Sequence, residues 1–564
     1  MASDEKIITS EGTTRSPSLQ PTLNYATIPR RRYFAGAQGR LLAIQIAVAG
    51  SIGFLLFGYD QGVLGGLNAA EEFLDQFNHP SSSLLGTINA IYEIGCCAGA
   101  IAVFICGESL GGKKCLYIGA VTMFIGAALQ ASSFGVPQMI VGRVICGIGN
   151  GFNTATTPLW LCELLPAKRR GRDVSIAGNL IAFGIIIAYY FNIGLSYTTG
   201  PVQWRLPIAF QGFFIMLQII WTKFLPESPR WLIKHGRHEE AIDILAQLHG
   251  KNTPCDFPAV VEQKRLIDEA LAIENEGGPW KITEIFHNGP LKIRRRYILV
   301  IGIQAMQQLS GINVLVYYAP HTLTTDMGFS YKEALFVAAG IAVTYWVFSF
   351  SQVFFLDQMG RRRPLIVGAI LQALCFLCVG GLAIHMAGLL QRNVTPAKAK
   401  ASLFFFFAYE AIFAVGWLAI PWLYPAEFMP LRHRTHSAAI ATAADWIFNY
   451  MIVQITPISI GNIRWKTYMI FFVINLAMAA VVWLFHPETS GRTLEEIDYM
   501  YFGDCDRLVV VGKNGRTLPG FRSMMERPHN LETGTNRGAA EHFIRDVKVM
   551  TQTTSSQHLE TISQ

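Results

Sequence analysis

The sequence is poor in charged residues. Only 15% of its 564 residues are Asp, Glu, Lys or Arg, while 51% are hydrophobic, and an ordinary soluble domain has roughly 25% charged residues. This composition excludes a typical soluble protein and is typical of a chain that spans a membrane. The net charge of +7 is then explained by contact with anionic lipid rather than with nucleic acid.

Other missing features exclude further classes. The first forty residues contain no apolar segment followed by a small-residue cleavage site, so we expect no signal peptide. Most of the ten cysteines lie in apolar stretches, and Cys375-x-x-Cys378 has no partner pair, so we expect neither a metal ion nor another cofactor. Since the polar segments carry no activated nucleophile or metal cluster, an enzyme is not expected.

Long apolar segments are abundant instead. A helix needs ~20 residues to cross about 30 Å of hydrocarbon, and twelve stretches are long enough. They lie near residues 41–63, 84–106, 115–134, 138–160, 174–196, 206–225, 297–320, 333–355, 364–387, 402–424, 437–459 and 467–486. The pattern predicts an all-α membrane protein with an N-terminal tail, a six-helix unit, a helical loop, a second six-helix unit and a C-terminal tail. The predicted boundaries are 1–40, 41–225, 226–296, 297–486 and 487–564.

Basic residues occur in alternate loops. The loop 64–83 carries acidic residues without Lys or Arg, whereas Lys and Arg are frequent in 226–296 and at Arg361 to Arg363. The positive-inside rule therefore places both termini and the loop 226–296 in the cytoplasm. Asn393-Val394-Thr395 is a glycosylation sequon in a loop that this topology places outside the cell.

Three short motifs occur twice in the same order. Glu163-x-x-Pro166-x-x-x-Arg170 returns as Glu427-x-x-Pro430-x-x-x-Arg434, and Pro226 to Arg230 is echoed by Pro487 to Arg492. Glu108 to Lys114 corresponds to Asp357 to Arg363. The repetition indicates two homologous halves, the arrangement that alternating-access transporters use.

The repeated motifs bring acids and bases together in the cytoplasmic segments. We expect ion pairs among them to close an inner gate and to break when it opens. The alternative is that these residues only anchor helix ends at the membrane surface. The residues concerned are Glu163, Arg170, Glu227, Arg230, Asp357, Arg361, Glu427, Arg434 and Glu488.

Five charged residues lie away from the ends of the predicted spans, where a charge costs several kcal/mol unless it is paired or hydrated. They are Asp60, Glu93, Arg143, Glu410 and Asp445. Asp60 and Arg143 both lie in the extracellular half of their helices, so they can form a pair. Protonation of the acid would then free the arginine and link proton binding to helix movement. The alternative is a permanent ion pair that holds two helices together.

The seventh span is rich in carboxamides. Gln307 to Asn313 contains three of them near Gly311, and Tyr317 follows on the face of Asn313. Paired donors and acceptors suit the vicinal hydroxyls of a sugar or polyol, and Trp422 or Trp446 could cover the apolar face of the ring. The alternative for each polar residue is a hydrogen bond between helices.

These residues resemble those of the sugar porters of the major facilitator superfamily, and fungal members in particular. The resemblance covers roughly 41–500 and rests on Phe57 to Asp60, Gly142-Arg143, Trp204-Arg205, Gln307 to Asn313 and the three repeated motifs. It implies twelve transmembrane helices in two pseudo-symmetric six-helix bundles, with a cytoplasmic helical loop. It also implies that Gln307, Gln308, Asn313 and Trp422 touch sugar, that Tyr317 lines the same cavity, and that Asp60 and Arg143 couple proton movement.

The sequence departs from the pattern of this family at several positions. Ala177-Gly178 stands where a sugar-binding glutamine is common, Tyr345 replaces an asparagine, and Asp445 replaces an asparagine or glutamine. Tyr345 and Asp445 are therefore candidates for shaping selectivity. Ser109 and Gly112 replace two arginines, which should weaken the first-half side of the inner gate.

The sequence thus predicts a monomeric plasma-membrane transporter of a sugar or polyol that works as a proton symporter. Three alternatives stay open at this point. They are a facilitative carrier, a sugar sensor that does not transport, and a transporter of a specialised metabolite such as a quinate-like acid.

Overall fold

The computed structural model describes residues 28–33, 36–165, 170–276, 280–287, 291–325, 328–389, 396–490, 497 and 501. Within these residues every regular element is a helix. The α-helices in chain order are α1 (Arg40–Leu67), α2 (Glu71–Gln76), α3 (Ser82–Leu110), α4 (Gly112–Ala131), α5 (Val136–Leu164), α6 (Arg170–Leu195), α7 (Val202–Lys223), α8 (Pro229–Lys234), α9 (His238–His249), α10 (Pro258–Glu276), α11 (Ile293–Leu309), α12 (Ile312–Thr325), α13 (Tyr331–Met359), α14 (Arg362–Leu389), α15 (Pro396–Gly416), α16 (Ile420–Phe428), α17 (Arg434–Ile463) and α18 (Lys466–Phe485).

Membrane-spanning helices dominate the described part of the chain. Eleven spans there are long and apolar enough to cross a bilayer, and α11 with α12 and α15 with α16 each count as one interrupted span. The twelfth long helix, α5, has 29 residues. Arg143, Asn150 and Asn153 make it more polar than the others, which explains why it stands apart from the eleven.

Helices α1 and α6 touch through their backbones. A Cβ atom at Gly58 would lie 1.9 Å from the carbonyl oxygen of Ile181, and one at Gly184 would lie 2.2 Å from that of Leu55. Neither position has room for any side chain, so glycine lets the two helices approach as closely as backbones can. The two helices therefore form one tightly joined pair.

Two spans are interrupted near their middle. Between α11 and α12, Gly311 has a φ of +93°, a conformation that favours glycine. Between α15 and α16, the carbonyls of Trp417 and Leu418 accept hydrogen bonds from Gln307 Nε2 at 2.8 and 3.0 Å. Backbone groups freed by a break inside a membrane need such partners, so the second break is stabilised by a side chain from the first span.

The two ends of the helix bundle differ. The short helices α8, α9 and α10 cover one end, which we call the loop-helix end. At the opposite end the halves are joined by hydrogen bonds from Gln454 Nε2 to the carbonyl of Ser83 at 3.3 Å and from Tyr331 Oη to the carbonyl of Gly66 at 3.3 Å. A cavity separates the halves at the loop-helix end. The opposite end is therefore closed.

Candidate functional site

A chain of buried carboxamides lies beside the break in the seventh span. Asn313 Nδ2 donates to Gln308 Oε1 at 2.6 Å and to Asn449 Oδ1 at 2.7 Å, and Gln61 Nε2 donates to Asn313 Oδ1 at 3.3 Å. Gln308 Nε2 in turn donates to Asp445 Oδ1 at 2.8 Å. Asp445 and Asn449 are four residues apart on α17 and share a face. The chain links the two halves, because Gln61 belongs to α1.

Several polar atoms of this cluster remain available. Gln307 Oε1, Asp445 Oδ2 and Asn449 Nδ2 are buried and have no hydrogen-bond partner among the described residues. Buried polar atoms are nearly always satisfied in native proteins. These two acceptors and one donor are therefore suited to a ligand that both donates and accepts.

Trp422 and Tyr345, two of the aromatic candidates, are both buried in contact with other rings. Trp422 packs edge-on against Phe54 with ring centroids 5.5 Å apart, and it lines a small cavity with Gln304 and Thr442. Tyr345 is buried against Phe413, with centroids 6.0 Å apart. Only Trp422 lines a described cavity next to the seventh span.

Trp446 and Tyr317 each join the halves. The ring of Trp446 packs against Phe57 at 4.8 Å, and its Nε1 donates to Thr154 Oγ1 at 3.3 Å. Tyr317 Oη donates to Glu93 Oε1 at 2.8 Å. The hydroxyl of Tyr317 is thus engaged by an acid of the first half rather than by the carboxamides.

Asp60 and Arg143 form a buried ion pair. Arg143 Nη1 lies 2.8 and 2.7 Å from the two carboxylate oxygens of Asp60. Arg143 also donates from Nε to the carbonyl of Ile88 at 3.2 Å and from Nη2 to that of Asn89 at 2.8 Å. Every nitrogen of the guanidinium is used, as a buried charge requires if it is not to be strongly destabilising.

Gly178 lies where sugar porters commonly have a sugar-binding glutamine, and its surroundings show what takes the place of that side chain. A Cβ atom at Gly178 would lie 3.5 Å from side-chain atoms of Leu418 and Ala419, so α6 packs here against the break in the tenth span. The neighbouring Asn179 donates from Nδ2 to Ser349 Oγ at 2.6 Å and accepts from Trp346 Nε1 at 3.0 Å. Asn179 thus bridges α6 and α13.

At the loop-helix end of the second half, Arg361 forms ion pairs with two acidic residues. Arg361 Nη2 lies 2.9 Å from Asp357 Oδ1 and 2.9 Å from Glu427 Oε1. Thr489 Oγ1 donates to the other Glu427 oxygen at 2.8 Å. Burial opposes the charge of Arg361, but the attraction of Glu427 and then Asp357 outweighs it and raises the pKa of Arg361.

Two equivalent acids cap helix N-termini. Glu488 accepts from the backbone N–H of Arg361 at 2.8 Å and of Arg362 at 3.0 Å, and Glu227 accepts from that of Lys113 at 3.1 Å. Anions are stabilised there by the unpaired N–H groups and the helix dipole. Burial raises the pKa of Glu227, although the N–H groups of Ser228 and Lys113 oppose the shift.

The first half lacks the arginine. Gly112 stands in the position of Arg361, and a Cβ atom there would lie 2.5 Å from Cδ1 of Trp160. Glu108, the counterpart of Asp357, forms an ion pair with Lys234 of α8, and its other oxygen lies 4.0 Å from His436 Nε2 of the second half.

The remaining gate candidates surround the cavity. Glu163, Arg230 and Arg434 line the cavity between the halves at the loop-helix end. The side chain of Arg170 and the whole of Asn393 lie outside the described residues. Neither Gln61 nor Asn449 was predicted to take part in the site, and Glu93 was noted only as an ionisable residue inside a span. For Asn449, its four-residue spacing from Asp445 was an available signal.

Comparison with known proteins gives consistent matches. Residues 46–501 match the family described as sugar (and other) transporter. The MFS-type transporter oryC of Aspergillus oryzae is 41% identical over 479 residues, which cover 84% of this chain and 88% of that protein. The sugar transporter STL1 of Saccharomyces cerevisiae is 33% identical over 480 residues, covering 83% and 82% of the two chains.

Solved structures agree with these matches. The major facilitator superfamily proton:xylose symporter XylE, solved with 6-bromo-6-deoxy-D-glucose, has a TM-score of 0.69 and 27% identity, and the match covers 81% of this chain and 99% of that one. Another match is an inward-open structure of XylE from E. coli, with a TM-score of 0.62. The likeness confirms the predicted all-α fold of twelve transmembrane helices in two six-helix bundles.

Proposed function

Because the chain belongs to the sugar-transporter family of the major facilitator superfamily, we propose that it carries a sugar or polyol across the plasma membrane by alternating access, together with a proton. The observation that carries the substrate class is the carboxamide chain with its available atoms. Gln307 Oε1 and Asp445 Oδ2 can accept hydrogen bonds, and Asn449 Nδ2 can donate one. Vicinal hydroxyls offer both functions at adjacent carbons.

The carboxamide chain also supports a role in switching. A substrate that bonds to Gln308, Asn313 and Asp445 competes with the bonds that these residues make to one another. Since Gln61 of the first half is part of the chain, binding changes the contact between the halves. A ligand moves such an equilibrium only through bonds that differ between its two states.

Proton coupling is proposed for the Asp60–Arg143 pair. Protonation of Asp60 removes the negative charge that faces Arg143 Nη1 at 2.7 Å, and the guanidinium then holds only its two backbone carbonyls. The pair is thereby a two-state element that a proton can bias. The relative XylE is named a proton:xylose symporter. A facilitative carrier would instead keep the pair intact throughout the cycle.

The positions of the basic residues support an orientation. The segment 226–296 contains eleven Lys and Arg residues, and Arg361 to Arg363 add three more, so we place the loop-helix end and both termini in the cytoplasm. The cavity between the halves then opens toward the cytoplasm, and the closed opposite end faces outward. Arg361, Glu427 and their neighbours form the proposed inner gate.

A second candidate substrate class is a specialised metabolite that is not a sugar. Asp445 favours it, because a fully buried carboxyl group next to Gln308 suits a ligand with several donors or a positive charge better than a neutral amide would. The relative oryC is named only as an MFS-type transporter. The side chain at position 445 therefore decides between the two classes.

Uptake by transporter-deficient cells tests the proposal. Labelled hexoses, pentoses, polyols and quinate are supplied with and without a protonophore. We expect accumulation of one compound that the protonophore abolishes, and Asp60→Asn should abolish accumulation while sparing exchange. Glu410→Gln, a matched change at another buried carboxyl, serves as the control. Accumulation that is insensitive to the protonophore would contradict symport, and an unchanged substrate ranking in Asp445→Asn would make Asp445 structural.

A further inference from the structure

We propose that Glu93 is a proton-dependent latch of the closed opposite end, which must bind a proton before Tyr317 can dock on it. The inference rests on the proposed alternating access but not on symport. Glu93 lies on α3 in the first half, and its side chain is fully buried. Tyr317 lies on α12 in the second half and donates to Glu93 Oε1 at 2.8 Å. The contact therefore exists only when the halves meet at this end.

Among the described residues, no free positive charge faces Glu93. The ionisable groups that face it are Asp60 on α1, Arg143 on α5, Tyr317 on α12 and Asp445 on α17, with Cys96 and Tyr92 on its own helix. Arg143 is already engaged by both oxygens of Asp60 and by two backbone carbonyls. That pair is neutral as a unit, so an ionised Glu93 would be an uncompensated buried charge near a further acid, Asp445.

The two oxygens of Glu93 have different environments. Oε1 accepts from Tyr317, whereas Oε2 is buried and has no partner among the described residues. A carboxylate would leave Oε2 as a desolvated anion, which is strongly unfavourable. A carboxylic acid with its proton on Oε2 keeps the bond from Tyr317 and carries no charge. The closed state thus fits the neutral acid.

Opening of this end would remove the preference of Glu93 for its protonated form. Tyr317 is held on the first half by a second bond, from Asn68 Nδ2 to its backbone carbonyl at 3.1 Å, and Asn68 itself accepts from Asn89 at 3.1 Å. When α12 leaves α1 and α3, Glu93 loses Tyr317 and meets water. It then releases its proton to that water, and closing takes one proton back from the same side. Closing is consequently favoured by acid.

The test is a distance measurement that needs no substrate. Spin labels are attached to cysteines introduced at the exposed positions Ser82 and Asn462, which lie on the two halves at the opposite end. The parent without the two cysteines shows the background labelling of the native thiols. In the doubly labelled protein with Glu93 unchanged, which serves as the wild type here, we expect the ratio of short to long distances to rise as pH falls. The rise is at most about tenfold per pH unit for one proton.

Variants assign that response to Glu93. Glu93→Gln should keep the short distance at every pH, and Tyr317→Phe should lower the short-distance population at every pH, because the latch loses its donor. Glu410→Gln, a matched control, should retain the pH response of the wild type. If Glu93→Gln fails to fold, Glu93→Met replaces it: a neutral side chain of similar length removes the titrating group, so the pH response should be lost.

Two results would overturn the latch. One is a wild-type distance that does not change with pH, and the other is a pH response that survives in Glu93→Gln. The proposed symport fails separately. Uptake that is insensitive to a protonophore, combined with a distance response that Glu93→Gln removes, would refute symport and leave the latch standing.

Discussion

The two halves use the same repeated motif in different ways at the loop-helix end. In the second half Arg361 binds Asp357 and Glu427, so the motif ties helices of one half to each other. In the first half Gly112 replaces the arginine, and Glu108 instead reaches Lys234 of the loop and approaches His436 of the other half. The same motif thus joins helices within the second half, whereas in the first half it makes contact with the loop and with the other half.

The space left by the arginine explains this difference. Trp160 occupies the position next to Gly112 and leaves no room for a side chain. Because Gly112 supplies no positive charge, the carboxylate of Glu108 forms its ion pair with Lys234 of the loop helix α8 instead. At the loop-helix end, the first-half motif therefore takes part in contact with the loop and the other half, whereas the second-half motif joins helices within its own half.

The largest effect is expected for Arg361→Ala. The change leaves the carboxylates of Glu427 and Asp357 facing each other without a cation, and breaking a buried pair from one side costs roughly 3 kcal/mol. Thermal unfolding in detergent measures the loss. Arg363→Ala, on an exposed neighbour, should leave the unfolding temperature unchanged. An equal loss in both variants would mean that positive charge at this end, rather than the specific contacts of Arg361 with Asp357 and Glu427, stabilises the second half.

Gly112→Ala should come next. Its Cβ atom would clash with the ring of Trp160, and such overpacking costs about 1–3 kcal/mol. Gly302→Ala is the matched control, because it adds the same methyl group to a membrane helix with nothing within 4 Å. The unfolding temperatures of the two variants decide the matter. If Gly112→Ala is as stable as the control, Trp160 can move and does not exclude the arginine.

The two capping acids should behave alike. Glu227→Gln and Glu488→Gln each weaken a helix cap, and we expect each to cost about 1 kcal/mol. The pH profile of Glu227→Gln provides a further test. Because burial raises the pKa of Glu227, its contribution to stability is complete below the ordinary pKa of 4.5 and is lost as pH rises through the raised value. Unfolding of Glu227→Gln should lack this part of the pH dependence, and an identical profile would contradict the shift.

The smallest effects are expected at the outer acids. The side chains of Asp357 and Glu108 are 67% and 44% exposed, and exposed ion pairs contribute ~0–1 kcal/mol. Neither Asp357→Asn nor Glu108→Gln should shift the unfolding temperature much. Uptake rates should separate them, because only Glu108 reaches toward the other half. Equal uptake rates would remove the proposed role of Glu108 in contact with the other half.

Much of the arrangement could be predicted from the sequence because the membrane makes polarity informative. A charge inside a span needs a partner, so Asp60 and Arg143 could be predicted to lie together. The roles of the individual site residues were harder, since they depend on how each helix is rotated. Tyr317 was assigned to the sugar cavity, yet its hydroxyl meets Glu93.

Local replacements were also out of reach of the sequence. The loss of an arginine at Gly112 was visible and suggested a weaker gate. That Trp160 fills the vacated position, and that Glu108 turns to Lys234 and His436, depends on packing between distant segments. Gly178 likewise showed that a glutamine is missing but not that α6 would pack against Leu418 and Ala419.

The backbone contact between α1 and α6 has a mechanical consequence. Since Gly58 and Gly184 leave no side chain between the two helices, there is no side-chain layer between them that could be compressed or sheared, and α1 and α6 should move as one rigid pair. A change in bilayer thickness should then tilt the pair and leave the spacing between α1 and α6 unchanged. The lipid composition of the membrane would thereby act on the proposed transport cycle through the tilt of this pair.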